Sequence, residues 1–86
     1  MAKRLYVGNL PFNVSETDLR TLFEEYGKVQ AVELIIDHET GRFRGFGLVE
    51  MDAAKAGLAV SELDGRKFGG RILRVSEIRE QLGGRQ

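Results

Sequence analysis

Two aromatic residues in this chain are out of step with the apolar residues around them. In Arg4-Leu5-Tyr6-Val7-Gly8, Leu5 and Val7 take one phase of a strand and Arg4, Tyr6 and Gly8 the other. In Arg44–Met51, Gly45, Gly47, Val49 and Met51 share one face, while Arg44, Phe46, Leu48 and Glu50 share the opposite one. Charges at both ends mark the second face as wet, and the glycines on the first suit close approach of a helix. Tyr6 and Phe46 are therefore expected on one solvent-facing surface. A single aromatic in a strand more often belongs to the core, but two in the phase opposite to the core call for another explanation. Arg44 and Arg74 fall on the same face, and Lys3, Arg4, Arg42 and Arg71 lie near its edges. Rings stack on unpaired bases and cations follow a phosphate backbone, so this combination suits a single-stranded nucleic acid.

Other chemistries lack their residues. The absence of cysteine excludes disulfides, thiolate metal sites and thiol nucleophiles. The sole histidine, His38, sits between Asp37 and Glu39 in a polar loop, where adjacent residues cannot converge on one metal or one nucleophile. We expect no enzyme, no catalytic residue, no metal, no cofactor and no small-molecule substrate. Thirteen Lys and Arg balance thirteen Asp and Glu, so the net field does not attract a polyanion. The layout matters more than the sum. Glu16, Asp18, Glu24, Glu25, Glu62 and Asp64 fall on two helical segments, leaving Glu33 and Glu50 as the acids expected on the sheet side.

These residues need a scaffold, and 86 residues with 42% hydrophobic and 30% charged side chains suffice for one domain around one core. Residues 4–8 form a first strand, closed by Asn9-Leu10-Pro11. Ser15 and Asp18 make a capping box, and Leu19, Leu22, Phe23 and Tyr26 repeat at helical spacing, predicting a helix from about Ser15 to Tyr26. Residues 29–37 read as a second strand, with Val32, Leu34 and Ile36 on one face and Glu33 and Ile35 on the other. The polar turn His38–Gly41 reverses the chain into the third strand. Asp52 is the predicted N-cap of a second helix carrying Ala56, Ala59, Val60 and Leu63, with Leu58 off that stripe and Asp64-Gly65 ending it. After Gly69-Gly70, Leu73 and Val75 alternate with Arg74 and Ser76 in a last strand. The order β-α-β-β-α-β with right-handed crossovers gives an α+β, ferredoxin-like sandwich: a four-stranded antiparallel sheet with two helices on one face. The other face is bare. Residues 1–78 are expected to form this domain and 79–86 a flexible polar Gly/Arg tail.

The chain resembles the RNA recognition motif family. That family's hexameric signature looks like Leu5-Tyr6-Val7-Gly8-Asn9-Leu10, and its octameric one is similar to Arg44-Gly45-Phe46-Gly47-Leu48-Val49-Glu50-Met51. Asp37, Thr40-Gly41, Leu63-Asp64-Gly65 and Gly70-Arg71 also fit, and the resemblance spans about residues 3–78. It implies binding of single-stranded RNA, with Tyr6 stacked on one base, Phe46 against the next sugar or base, and Arg44 on a phosphate. Lys3, Asn9, Arg42, Leu48, Arg74 and Ser76 complete the expected interface. Ser76, Glu77 and Ile78, just after the last strand in the family pattern, would reach base edges. Leu48 departs from the pattern, since the family usually presents a second stacking aromatic there. Met51 also replaces an aromatic, but on the core side, where methionine adapts.

Two enzyme or carrier readings of the same architecture fail on residues. A small acylphosphatase needs an arginine in its phosphate-cradling first loop, and Gly8–Asn13 has none; a metal chaperone needs a cysteine pair. Two binding alternatives remain: a protein-interaction module using Tyr6, Phe46, Leu48 and Ile35 as an apolar patch, and single-stranded DNA in place of RNA. The chain has neither a membrane span nor a signal-peptide core. A short chain starting at its own Met leads us to expect a self-contained protein of a bacterial cytoplasm, or a nuclear location if it is part of a larger eukaryotic protein; a monomer is expected.

Overall fold

Leu19, Leu22 and Phe23 recur a helical turn apart, and the residues ahead of them supply a start signal. The structure, a computed structural model, describes residues 1–78; the tail expected at 79–86 lies outside the described residues. Helix α1 is Glu16–Glu24. The Asp18 N–H donates to Ser15 Oγ at 3.0 Å and the Ser15 N–H donates back to the Asp18 carboxylate at 3.1 Å, satisfying two N–H groups that the helix leaves unpaired. The helix stops short of the expected Tyr26, whose N–H closes the last turn on the Phe23 carbonyl. Phe23 has no exposed surface, so truncating it to alanine would cost about 3–5 kcal/mol.

Four strands, β1 (Ala2–Gly8), β2 (Val29–Ile36), β3 (Phe43–Asp52) and β6 (Arg74–Glu77), form one antiparallel sheet in the order β2-β3-β1-β6. Leu5 and Val7 of β1, Val49 and Met51 of β3 and Val75 of β6 are buried, together with Leu19, Leu22 and Phe23 of α1 and Ala56, Ala59 and Leu63 of α2 (Ala53–Leu63). The core thus lies between the sheet and both helices, as the β-α-β-β-α-β order requires. Arg20 Nη1 donates to the Val29 carbonyl at 2.9 Å, tying α1 to β2, and the Asp64 carboxylate accepts the Val75 N–H at 2.9 Å, tying the end of α2 to β6.

Several local expectations are corrected. Asp52 stands at the N-cap position but makes no side-chain capping bond; it is also the last residue of β3, and the first helical N–H, that of Ala53, donates to the Met1 carbonyl at 2.8 Å. The β2–β3 pairing shifts register between Leu34 and Ile36, whose partners are Gly47 and Phe43. Ile36 is consequently turned outward, 45% exposed, instead of joining Val32 and Leu34 on the core side. The glycines of β3 serve strand pairing rather than helix approach. Gly45 lies within this irregularity at φ 87°, and a Cβ on Gly47 would fall 2.6 Å from the backbone oxygen of Glu33 in β2. The segment before the last strand also holds a small hairpin, β4 (Lys67–Phe68) and β5 (Arg71–Ile72), turning through Gly69 and Gly70 at positive φ. Ser76 lies in the last strand as its alternation predicts, and Glu77, which the family pattern would put just after that strand, lies inside β6 as well.

Candidate nucleic-acid interface

Strand register determines which side chains share the open face. Tyr6 pairs with Leu48 on one side and Ser76 on the other, Gly8 pairs with Arg74, and Arg4 with Glu50. Across β3, Leu48 pairs with Glu33 and Glu50 with Ala31. Because Leu5, Val7, Val49 and Val75 fill the opposite phase, this grid faces away from the helices. The Tyr6 and Phe46 rings lie 5.5 Å apart between centroids, tilted by 35°, within the range of attractive aromatic pairs. Gly8 makes this arrangement possible: a Cβ there would fall 2.7 Å from Cε2 and Cζ of Tyr6, so the ring occupies the space that any larger residue would need. Leu48, half-buried, continues the apolar surface beside Tyr6.

The cations differ in their availability. Arg74 is exposed and in register with the open face. Arg42 is exposed in the β2–β3 loop. Arg44 lies beyond the irregularity at Gly45, so alternation no longer dictates its side; its Nη1 is 3.7 Å from Asp37 Oδ2. The Asp37 carboxylate accepts the backbone N–H groups of Thr40 at 3.2 Å and Glu39 at 2.8 Å. These bonds, with Arg44 contributing less, hold its pKa below the usual carboxylate value. Lys3 is in phase with Leu5, and its Nζ is 3.1 Å from Glu77 Oε1, which places it at the edge of the sheet instead of among the rings.

Asn9 holds the end of β1 in place. At φ 59° it turns the chain out of the sheet, its Nδ2 donates to the Ile72 carbonyl at 2.7 Å, and its Oδ1 accepts from Arg71 Nε at 3.1 Å. Both functional ends of this side chain are therefore engaged with the β4–β5 hairpin, and Arg71 is drawn to the rim of the face. Phe12, to which no motif in the sequence assigns a role, is 88% exposed in the loop after β1. A loop without periodicity gives no phase from which to read exposure, so only the three-dimensional arrangement reveals it. Glu33 and Glu50 flank a shallow hollow with Arg4 and Leu48 at one end of the face, while Arg44, paired with Asp37, and Arg71 and Arg74 lie toward the other. Among the described residues there is no cluster of three metal-ligating side chains and no helix long and apolar enough to cross a membrane.

A four-stranded antiparallel sheet with two helices on one side and paired aromatics on the other defines a ferredoxin-like domain with an aromatic open face. The RNA recognition motif profile matches residues 5–74. The chain belongs to the RNA recognition motif family. It is 48% identical over 84 residues to RbpE of Nostoc sp., a protein named for RNA binding, with 94% of this chain and 85% of that protein covered. The crystal structure of RNA-binding protein PG1 superposes with a TM-score of 0.86 at 48% identity, covering 92% of this chain and 96% of that one. The RNA recognition motif of Rna15 with bound GU RNA gives a TM-score of 0.78 at 27% identity, covering 90% and 83%.

Proposed function

We propose that the chain binds single-stranded RNA across the open sheet face. The observation that carries this reading is the Tyr6–Phe46 pair, 5.5 Å apart on the sheet face opposite α1 and α2. One base stacks on Tyr6, and the next base or its ribose lies against Phe46. Leu48 offers an apolar floor without a π face, so the third position is held more weakly. Arg74 and Arg44 neutralise phosphates, the latter by exchanging its ion pair with Asp37 for one with the strand. Ser76, in register with Tyr6, is within reach of a base edge. The family membership and the RNA-bound state of the Rna15 domain support the choice of RNA.

Titration of labelled single-stranded RNA tests the reading. Each stacked base is worth roughly 1–3 kcal/mol, so Tyr6→Ala and Phe46→Ala should each weaken binding by about five- to a hundredfold. Tyr6 is 36% exposed and its removal leaves the core intact, so both variants should remain folded by circular dichroism. Unchanged affinity in both would remove the sheet-face model and favour the apolar patch as a protein-docking surface.

A further inference from the structure

We infer that the loop after β1 and the β4–β5 hairpin form a second nucleotide site, continuous with the sheet face and used by the same RNA strand as it leaves Phe46. The inference rests on the sheet-face reading above. Beyond Gly45 the surface opens into a groove lined by Pro11, Phe12, Phe43, Arg44, Gly69 and Arg71. Its lining combines the two things a nucleotide requires. Phe12, 88% exposed, presents a ring that the core does not use. Arg44 and Arg71 bring guanidinium groups to the same groove, and cations beside a ring match a base with its phosphate.

The groove is a built feature. The Leu10 N–H donates to the Gly45 carbonyl at 2.9 Å, fastening the loop to β3 next to Phe46. On the opposite wall Arg71 is held by Asn9, through Nε to Oδ1 at 3.1 Å and to the backbone oxygen at 3.3 Å. A guanidinium carries five N–H donors in a fixed plane, so these bonds fix Arg71 and leave other donors for a phosphate. Gly69 stands against Pro11: a Cβ there would lie 2.6 Å from the proline Cγ, so the hairpin turn closes tightly on the loop. Charge decides the occupant. The hollow at the far end of the sheet sets Glu33 and Glu50 against Arg4, whereas this end sets Arg44, Arg71 and Arg74 against Asp37, so a polyanion crossing Tyr6 and Phe46 finds its favourable continuation here.

The test uses labelled oligouridylate, oligoadenylate and oligocytidylate, each in a short form of about three nucleotides and a long form of about eight, followed by fluorescence anisotropy. Phe12→Ala, a change at an exposed side chain, should lower affinity for the tightest long strand roughly five- to tenfold and leave the short strand unchanged. Arg71→Lys, which keeps the charge and loses the planar fork, should reproduce part of that length-dependent loss. Equal affinity of Phe12→Ala and the unaltered protein for the long strand overturns the groove site, as does an equal loss on both lengths. Tyr6→Ala measured alongside separates the two ideas. If it weakens both lengths while Phe12→Ala weakens neither, the sheet-face reading stands and the groove fails. If it weakens neither, the sheet-face reading fails, and the Phe12 result still decides the groove.

Discussion

Gly8→Ala isolates the placement of Tyr6 from its chemistry. The added Cβ would sit 2.7 Å from two ring carbons of Tyr6, where ordinary contact starts at 3.4 Å. The ring must therefore retreat by about 1 Å. Tyr6 can do this without disturbing the core, because the clash involves the far end of a half-exposed side chain. The displaced ring gives up part of its contact with Phe46, worth about 0.5–1.5 kcal/mol. Alanine returns about 0.5–1 kcal/mol by removing glycine's extra backbone freedom, and the φ of Gly8 is not in the left-handed region. Thermal stability should consequently change little. Binding should not be spared: losing a good part of one stacked base, about 1 kcal/mol or more, weakens the RNA complex at least about fivefold. Melting curves and RNA titrations on the same preparation make the comparison. A variant that melts like the unaltered protein and binds RNA equally well would refute the idea that Gly8 sets the stacking position of Tyr6.

Leu48→Phe restores a ring beside Tyr6 and should tighten RNA binding by about fivefold or more; weaker binding would mean that Leu48 faces a protein partner. With about three phosphates neutralised, a plot of log affinity against log salt should slope near −2, and a slope close to zero would exclude the arginine contacts. Asn9→Gly should be milder than Asn9→Ala in chemical denaturation. Both lose the bonds to Ile72 and Arg71, but only alanine adds the strain of φ 59°, about 1–2 kcal/mol. Asp37 has its pKa lowered in the folded state, so its stabilising contribution is present in full above the ordinary carboxylate pKa and is lost as pH falls through the lower folded value. Since the Thr40 and Glu39 amides dominate that shift, an NMR titration of Arg44→Ala should still find Asp37 below its ordinary value, and a full return to it would show that Arg44 was the main cause.

The parts of the molecule legible in sequence are those in which one period runs uninterrupted. Leu5 and Val7 against Tyr6, and Val49 and Met51 against Leu48, gave both the core side and the aromatic side, and Ser15 with Asp18 marked the start of α1. Legibility failed where the period breaks. The register shift opposite Gly45 turned Ile36 outward and removed Arg44 from simple alternation. The Gly69-Gly70 break concealed a hairpin, because strands of two residues carry no periodic signal. The positions of Lys3 and Asn9 were beyond reach for another reason: their partners, Glu77 and Ile72, stand 74 and 63 residues away in the chain. Phe12 belongs with these, since its exposure depends on what a loop, a strand end and a hairpin jointly leave open.

In the sheet order, β1 lies between β3 and β6, so the first strand of the chain is completed only by the last. A nascent polypeptide emerging from the ribosome can form α1, the β2–β3 pairing and α2 while one side of β1 still lacks its neighbour. Until residue 77 has emerged, Val7 lacks Val75 across the sheet and the hydrogen-bonding edge of β1 is open to any other extended chain. Closure then depends on contacts between distant parts of the sequence, the slow kind to form. The edge left open in that interval adjoins Tyr6 and Gly8, so the rings on β1 and β3 can meet before Ser76 and Arg74 arrive to border them, and the polar side of the stacking surface is the last part of it to be built.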